Sequence, residues 1–440
     1  MKRKALDNLL EWQLSTARKP LILQGARQVG KSYLVKTLLA PNFKSFAEIN
    51  LEKQGALRSL FEGNIDPKQL LAKLEGFANT KIVPGETLLF IDEIQTVPRA
   101  LLALRYLYEE LPQLHVIAAG SLLQFAIDKV GVPVGRVTFK HIAPLTFEEF
   151  LLNSGNELFQ KMLDEHDLVT PLGTALHERG LTLLSEYLAV GGMPEVVATL
   201  VEKRDYLACE KIQAEILEGF EHDFPKYALK DSNLQHVALV FKRAPHLAMQ
   251  HLKFVDISRD LQAKYIRAAI DVLQKAGVLS LVHSARSIQA AASFDPERYK
   301  LSFLDVGLMQ RATGLTISEW IRDKYNLLKQ GPITEQFVAQ EISARGELAA
   351  GELFYWERNA RGSSAEVDFL IPLRNGTIPV EVKSGTTGTL KSLHILLDAS
   401  PEVPYAVKTS SQDFSVAGKI RSIPLYAFPT WLKQAELGRG

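Results

Sequence analysis

Short apolar runs separated by stretches of helical period dominate the first 150 residues. The runs Leu21-Ile22-Leu23, Ser45–Ile49, Leu88–Ile91 and His115–Ala118 each read as a buried strand. Strands alternating with helices predict an α/β fold, with a parallel sheet covered by helices on both faces. From about 151 to 230 the period is helical, with one break at Gly191-Gly192-Met193-Pro194. Residues 231–315 open with helices and then give two strand-like runs, Val278–His283 and Tyr299–Phe303. The remainder mixes a helix near 332–345, strands around 352–357, 366–373 and 378–383, and a helix near 389–398. These changes of pattern place domains at 1–150, 151–230, 231–315 and 316–440.

A chain of 440 residues agrees with several cores rather than one. With 46% hydrophobic and 23% charged residues, it is neither disordered nor fibrous. Lys+Arg 51 against Asp+Glu 50 excludes a chain-wide polycation and leaves only a local basic groove for nucleic acid. The one cysteine, Cys209, excludes an internal disulfide and a Cys-based zinc cluster, and points to a reducing, cytoplasmic setting. Met1-Lys2-Arg3-Lys4 looks like the start of a signal peptide, but Glu11 and Gln13 interrupt the apolar stretch behind it. Val116 to Ile127 includes Gly120, Ser121 and Gln124 and falls short of the ~20 residues that span a bilayer. No membrane association is expected.

Gly25-Ala26-Arg27-Gln28-Val29-Gly30-Lys31-Ser32 satisfies G-x-x-x-x-G-K-[ST]. A strand precedes it, and Tyr33 onward continues as a helix, the order a phosphate cradle requires. Glycines let backbone N–H groups turn inward around phosphate oxygens, Lys31 reaches the β/γ-phosphates, and the Ser32 hydroxyl ligates Mg²⁺. Residues Gly25 to Tyr33 are therefore the candidate ATP site; the bland reading is a glycine turn. Thr87–Glu93 is an apolar strand ending in two acids, which are costly there unless they meet a cation or solvent. Asp92 would hold the metal and Glu93 would polarise the attacking water. The third strand ends at Gly120-Ser121, which puts a hydroxyl where a γ-phosphate sensor sits or simply ends the strand in a turn.

These residues resemble an AAA-type P-loop ATPase. More narrowly, the chain resembles a prokaryotic ATPase family in which that domain precedes a C-terminal domain of unknown function. The resemblance rests on Gly25–Ser32, Phe90-Ile91-Asp92-Glu93-Ile94-Gln95, Ala119-Gly120-Ser121, Gly135-Arg136, Pro144–Phe150, Gly191–Pro194 and Leu301–Leu308. It implies ATP and Mg²⁺ as ligands, hydrolysis, a helical lid at 151–230, and a winged-helix-like module at 231–315 with Ser258–Ala276 as its main helix. AAA sensors commonly place Asn where this chain has Ser121. Arg136 is the candidate to contact the γ-phosphate, in cis or in a neighbouring subunit, with a surface ion pair as the alternative.

Near the C-terminus, Glu366–Ile371 and Ile378–Lys383 flank the turn signal Arg374-Asn375-Gly376-Thr377 and read as a hairpin. Pairing positions that sum to 751 puts Asp368 opposite Lys383; a sum of 749 puts it opposite Glu381. Either register sets Asp368, Glu381 and Lys383 on one face. Glu335 lies on the preceding helix. An acid on a helix followed by Asp and Glu-x-Lys on a hairpin resembles the PD-(D/E)xK nuclease fold. That resemblance implies metal held by Asp368, Glu381 and Glu335, with Lys383 orienting water. The alternatives are a solvated ion-paired face or a nuclease fold without activity. Residues 331–440 carry 11 Lys+Arg and 12 Asp+Glu, so a DNA-binding surface would need its positive charges clustered.

Two function classes follow. In the first, ATP drives nucleic-acid binding or metal-dependent cleavage by the C-terminal domain. In the second, a switch-type ATPase signals to a protein partner or a second copy of itself, and the nuclease-like domain is a scaffold. A GTPase is disfavoured because no Asn-Lys-x-Asp element occurs.

Overall fold

The computed structural model describes all residues except 64, 227–230, 318–319, 321–322, 324–325, 346–351, 361–362, 386–388 and 439–440. The expected boundary at 230 falls on residues outside that description. The chain divides into two compact units. One comprises Arg3–Ala143 with Val272–Val278; the other comprises Met1–Lys2, Pro144–Asp271 and Leu279–Gly440.

In the first unit, β1 (Leu21–Gln24), β2 (Ser45–Asn50), β3 (Thr87–Asp92), β4 (His115–Ala119) and β5 (Thr138–His141) form one sheet in the order β2-β3-β4-β1-β5. Every pairing is parallel. β3 and β4 are buried along their whole length, as expected of strands covered on both faces. Leu101, Leu104 and Leu107, spaced three apart on the helix Ala100–Glu110, pack with Ile91, Val116 and Ala118 in this core. The helix Pro67–Ala78 joins them through Leu70 and Leu74. Its start is set by Asp66, whose side chain accepts from Lys68 N and Gln69 N, and its end by Asn79 in the left-handed region.

In the second unit, the helical period yields Glu157–Glu165, Thr174–Val190, Pro194–Lys203 and Tyr206–Asp223. The break at Gly191-Gly192 is a packing device. A Cβ on Gly191 would lie 2.2 Å from Asp305 Oδ1, and one on Gly192 would lie 2.1 Å from the Leu145 carbonyl. Asp305 is fully buried and caps the helix Val306–Ala312. Its Oδ2 accepts from Gly192 N (2.6 Å) and Gln340 Nε2 (3.3 Å), and its Oδ1 accepts from Leu308 N (2.9 Å). Burial pushes this carboxyl above the usual range, against those hydrogen bonds.

The expected helix Ser258–Ala276 forms only over Ala263–Lys275. Ser258 Oγ accepts from Asp260 N and Leu261 N, which gives 258–261 a turn in place of helix. β6 (Leu279–Ala285), β7 (Phe294–Phe303), β8 (Leu353–Ala360) and β9 (Ser363–Val367) form a mixed sheet ordered β7-β6-β8-β9, which draws strands from both sides of the expected boundary at 315. A second mixed sheet, ordered β10-β11-β12-β14-β13, contains β10 (Phe369–Leu373), β11 (Gly376–Val382), β12 (Ala406–Ser410), β13 (Ser415–Ala417) and β14 (Ile420–Pro424). The run expected as one strand over 366–373 therefore breaks at Asp368, where the chain leaves one sheet and enters the other. β10 and β11 pair Phe369 with Val380 and Leu373 with Gly376, the 749 register, closed by the two residues Arg374 and Asn375. Among the described residues no helix is long and apolar enough to cross a membrane.

Candidate functional site

β1 delivers the chain into the loop 25–30, and a helical stretch, Lys31–Tyr33 followed by Leu34–Leu39, leads out of it. Gly25, at φ 141°, has no room for a side chain: a Cβ there would lie 2.2 Å from the Ile142 carbonyl. Gln28 and Gly30 also have positive φ, so the loop curls back on itself. Ala26 and Val29 are buried beneath it, whereas Arg27 is half-buried and Tyr33 exposed. The Lys31 ammonium, 9% exposed, donates to the carbonyls of Gly25 (2.9 Å) and Ala26 (2.7 Å). Burial pushes Lys31 down to about 8, against the charges of Glu93 and Asp92. Arg3 braces the loop from the side, donating to Val29 O (3.1 Å) and Ala143 O (2.8 Å). Gly277 closes it from below: a Cβ there would lie 3.1 Å from Ala26 N.

Ser32 Oγ donates to Asp92 Oδ2 at 2.9 Å, so the two groups expected to hold Mg²⁺ already meet. Burial raises the Asp92 carboxyl. Glu93 follows in the left-handed region at φ 54°, and its Oε2 accepts from Gln95 Nε2 at 2.5 Å. Gln95 Oε1 is buried without a hydrogen-bond partner among the described residues, and Gly120 lacks the Cβ that would strike it at 2.1 Å. Because β4 lies between β1 and β3 and runs parallel to both, Gly120 and buried Ser121 emerge between the phosphate loop and Asp92. Arg136 Nε donates to Glu109 Oε1 at 2.8 Å in an exposed pair. The donor set fits Mg·ATP: loop N–H groups and Lys31 for the phosphates, Ser32 and Asp92 for the ion. Mg²⁺, when bound, neutralises phosphate charge.

The C-terminal carboxylates are arranged differently. Lys300 on β7, 4% exposed, brings its ammonium to Glu366 Oε1 (2.6 Å), Glu335 Oε2 (3.4 Å) and Asp368 Oδ1 (3.9 Å), and it lies 5.2 Å from the centre of the Tyr355 ring. Asp368 Oδ2 accepts from Val382 N at 2.7 Å. Glu381 Oε1 accepts from Lys383 Nζ at 2.5 Å, while its Oε2 is buried with no hydrogen-bond partner among the described residues. His251 adds an edge, with Nε2 2.6 Å from Glu366 Oε2 and Nδ1 3.2 Å from the Tyr355 hydroxyl. Burial raises Glu335, Asp368 and Glu381 above the carboxylate range, with mutual charge adding to it. Glu366, although buried, is held down at about 2 by His251 and Lys300. Burial works against the Lys300 charge, but Glu335, Asp368 and Glu366 together hold it above its ordinary value.

Of the carboxylates expected to share a metal ion, Glu335 and Asp368 share Lys300 while Glu381 pairs with Lys383, and with these ammonium groups among them the set does not fit a metal as it stands. Among the described residues no group of three or more His, Cys, Asp and Glu is placed to hold one. Sequence reasoning missed Arg3, Gln95, His251, Lys300 and Glu366 as members of these sites. Glu366 was findable, since it stands two residues before Asp368 and shares its face, and Lys300 is a lone charge inside Tyr299–Phe303.

Residues 17–151 match the profile of an AAA domain. Residues 181–319 and 330–428 match two domains of unknown function (DUF8612 and DUF4143). No curated protein matches the chain. Similar solved structures include the Walker-type ATPase PabY2304 of Pyrococcus abyssi, at 15% identity and TM-score 0.45 over 71% of this chain and 95% of that one. The RuvB Holliday junction branch migration motor of Thermotoga maritima follows at 14% identity and TM-score 0.29, over 68% and 92%. The S. cerevisiae Hsp104–ADP complex gives 14% and 0.28, over 79% and 45%. The parallel sheet and the phosphate loop give the first unit the fold of a P-loop ATPase domain, and the AAA profile matched at 17–151 supports ATP binding and hydrolysis there.

Proposed function

We propose that the protein is an ATP-dependent switch. Mg·ATP binds at Gly25–Tyr33, Ser32 and Asp92 hold the ion, Glu93 positions the attacking water, and Ser121 responds to the γ-phosphate. The helical lid (151–230), the winged-helix-like module (231–315) and the nuclease-like domain (316–440) relay nucleotide state to a protein partner. The observation that carries the reading is the Ser32–Asp92 pair beside a buried Lys31, within a loop where Gly25 leaves no room for a side chain. Lys31→Ala tests it: calorimetry should show ATP binding abolished in a folded protein, and undiminished affinity would refute the assignment.

The rival reading, nucleic-acid binding or cleavage through Asp368, Glu381 and Lys383, has the nuclease-like order of residues in its favour. Against it stand the Lys300 ammonium among the carboxylates and the near balance of charge over 331–440. Salt-dependent binding of duplex or branched DNA by the purified protein would favour that rival.

A further inference from the structure

We infer that Lys300 is a built-in cation standing where a metal ion would otherwise be needed, so that this carboxylate cluster is a latent divalent-cation site closed by the chain itself. The inference rests on reading residues 316–440 as a non-cleaving scaffold and explains what silences it. Three carboxylates from separate elements converge on one ammonium: Glu335 from the helix Gly331–Ser343, Glu366 from β9, and Asp368 from the junction of β9 and β10. Carboxylates buried together repel one another unless a cation lies among them, and leaving them unpaired is costly. Lys383 sits at ion-pair distance from Glu381, and its charge reaches Asp368 and Glu335 only from further off.

A second observation marks the place as built for a cation. Glu381 Oε2 is buried and accepts no hydrogen bond among the described residues, although Glu381 lies opposite Asp368 when the β10–β11 register is extended by one pair. A buried carboxyl oxygen in that state calls for positive charge, supplied by a proton, as the raised Glu381 pKa of about 7 reflects, or by a cation. Lys300 belongs to β7 of one sheet, whereas Glu381 belongs to β11 of the other. Through Asp368, 3.9 Å away, the ammonium reaches the point where the chain passes between the two sheets. A metal ion would make the same tie with shorter, directional bonds to oxygen.

The test counts Mn²⁺ bound to the nucleotide-free full-length protein, by electron paramagnetic resonance of the free ion. The unsubstituted protein and Asp368→Asn should bind equal amounts, since the ammonium already occupies the cluster. Lys300→Met should bind one additional Mn²⁺ per chain, and the double variant Lys300→Met with Asp368→Asn should lose it. If Lys300→Met unfolds without metal, Mn²⁺ should restore its native circular dichroism. Three results would overturn the inference: loss of an ion on Asp368→Asn alone, a folded Lys300→Met protein with no extra ion, or an unfolded one that Mn²⁺ does not restore. Cleavage of DNA by the unsubstituted protein with Mg²⁺ would instead refute the scaffold reading, so the two failures are told apart.

Discussion

Replacing Asp305 should loosen the protein at two places far apart in sequence. The carboxylate is fully buried, and three donors converge on it: Gly192 N, Leu308 N and Gln340 Nε2. Asp305→Ala leaves the two backbone N–H groups without this acceptor, at about 1–3 kcal/mol each. One of the two bonds is the helix cap, for which about 1 kcal/mol is typical. Relief of the buried charge offsets part of the loss, so the net destabilisation is roughly 2–4 kcal/mol. Asp305→Asn keeps one carbonyl oxygen and should fall between the parent and Ala. Hydrogen exchange of peptides covering 187–196 and 304–310 reads this locally: a loss of 2–4 kcal/mol corresponds to roughly 30- to 1000-fold faster exchange. The sign with pH is fixed as well. Burial raises the folded pKa above the unfolded value near ~3.9, so between the two the folded chain binds the proton more tightly. Parent stability therefore falls as pH rises through that window, and its lead over Asp305→Asn narrows. Exchange in Asp305→Ala within about threefold of the parent would refute the reasoning, since a surface substitution does as much.

Glu93→Gln should leave ATP binding intact and reduce turnover by more than about 100-fold, measured as phosphate release; hydrolysis at the parent rate would assign the water to another residue. Arg3→Met removes two hydrogen bonds to carbonyls at Val29 and Ala143, and ATP affinity should drop about tenfold by calorimetry. Unchanged affinity would show that the loop keeps its shape without Arg3. Gly277→Ala, at φ 74° and with its Cβ 3.1 Å from Ala26 N, should lower the melting temperature and weaken ATP binding several-fold at a cost of about 1 kcal/mol. Parent values for both would count against a brace at this position.

The legible parts of the fold were those written in consecutive residues. The phosphate loop needs eight neighbours in one order, and the buried strands of the first unit are short apolar runs; both survive the absence of any tertiary information. What stayed hidden depends on pairing across long stretches of chain. Arg3 reads as an ordinary basic start until Val29 and Ala143 are known to lie beside it. Period-two alternation placed Asp368, Glu381 and Lys383 on one face but could not choose between the 751 and 749 registers, which differ by an even step. Nor does alternation reveal that a strand changes sheets at Asp368, because Glu366 and Asp368 keep the same parity on either side of the break. The cation of the cluster is 68 positions upstream of Asp368 on β7, and no local pattern links the two.

Val272–Val278 belongs to the same compact unit as Arg3–Ala143, and Gly277 lies against the phosphate loop. During synthesis the nucleotide-binding unit therefore lacks one of its segments when residue 143 leaves the ribosome. It waits for 135 more residues, 143 to 278, which at the usual ~5–20 residues per second is roughly 7–27 s. Through that interval the nascent sheet has its loop but not the piece that seats it, so ATP binding on the ribosome becomes a clock: it should first appear only when chains long enough to expose Val278 are arrested and probed.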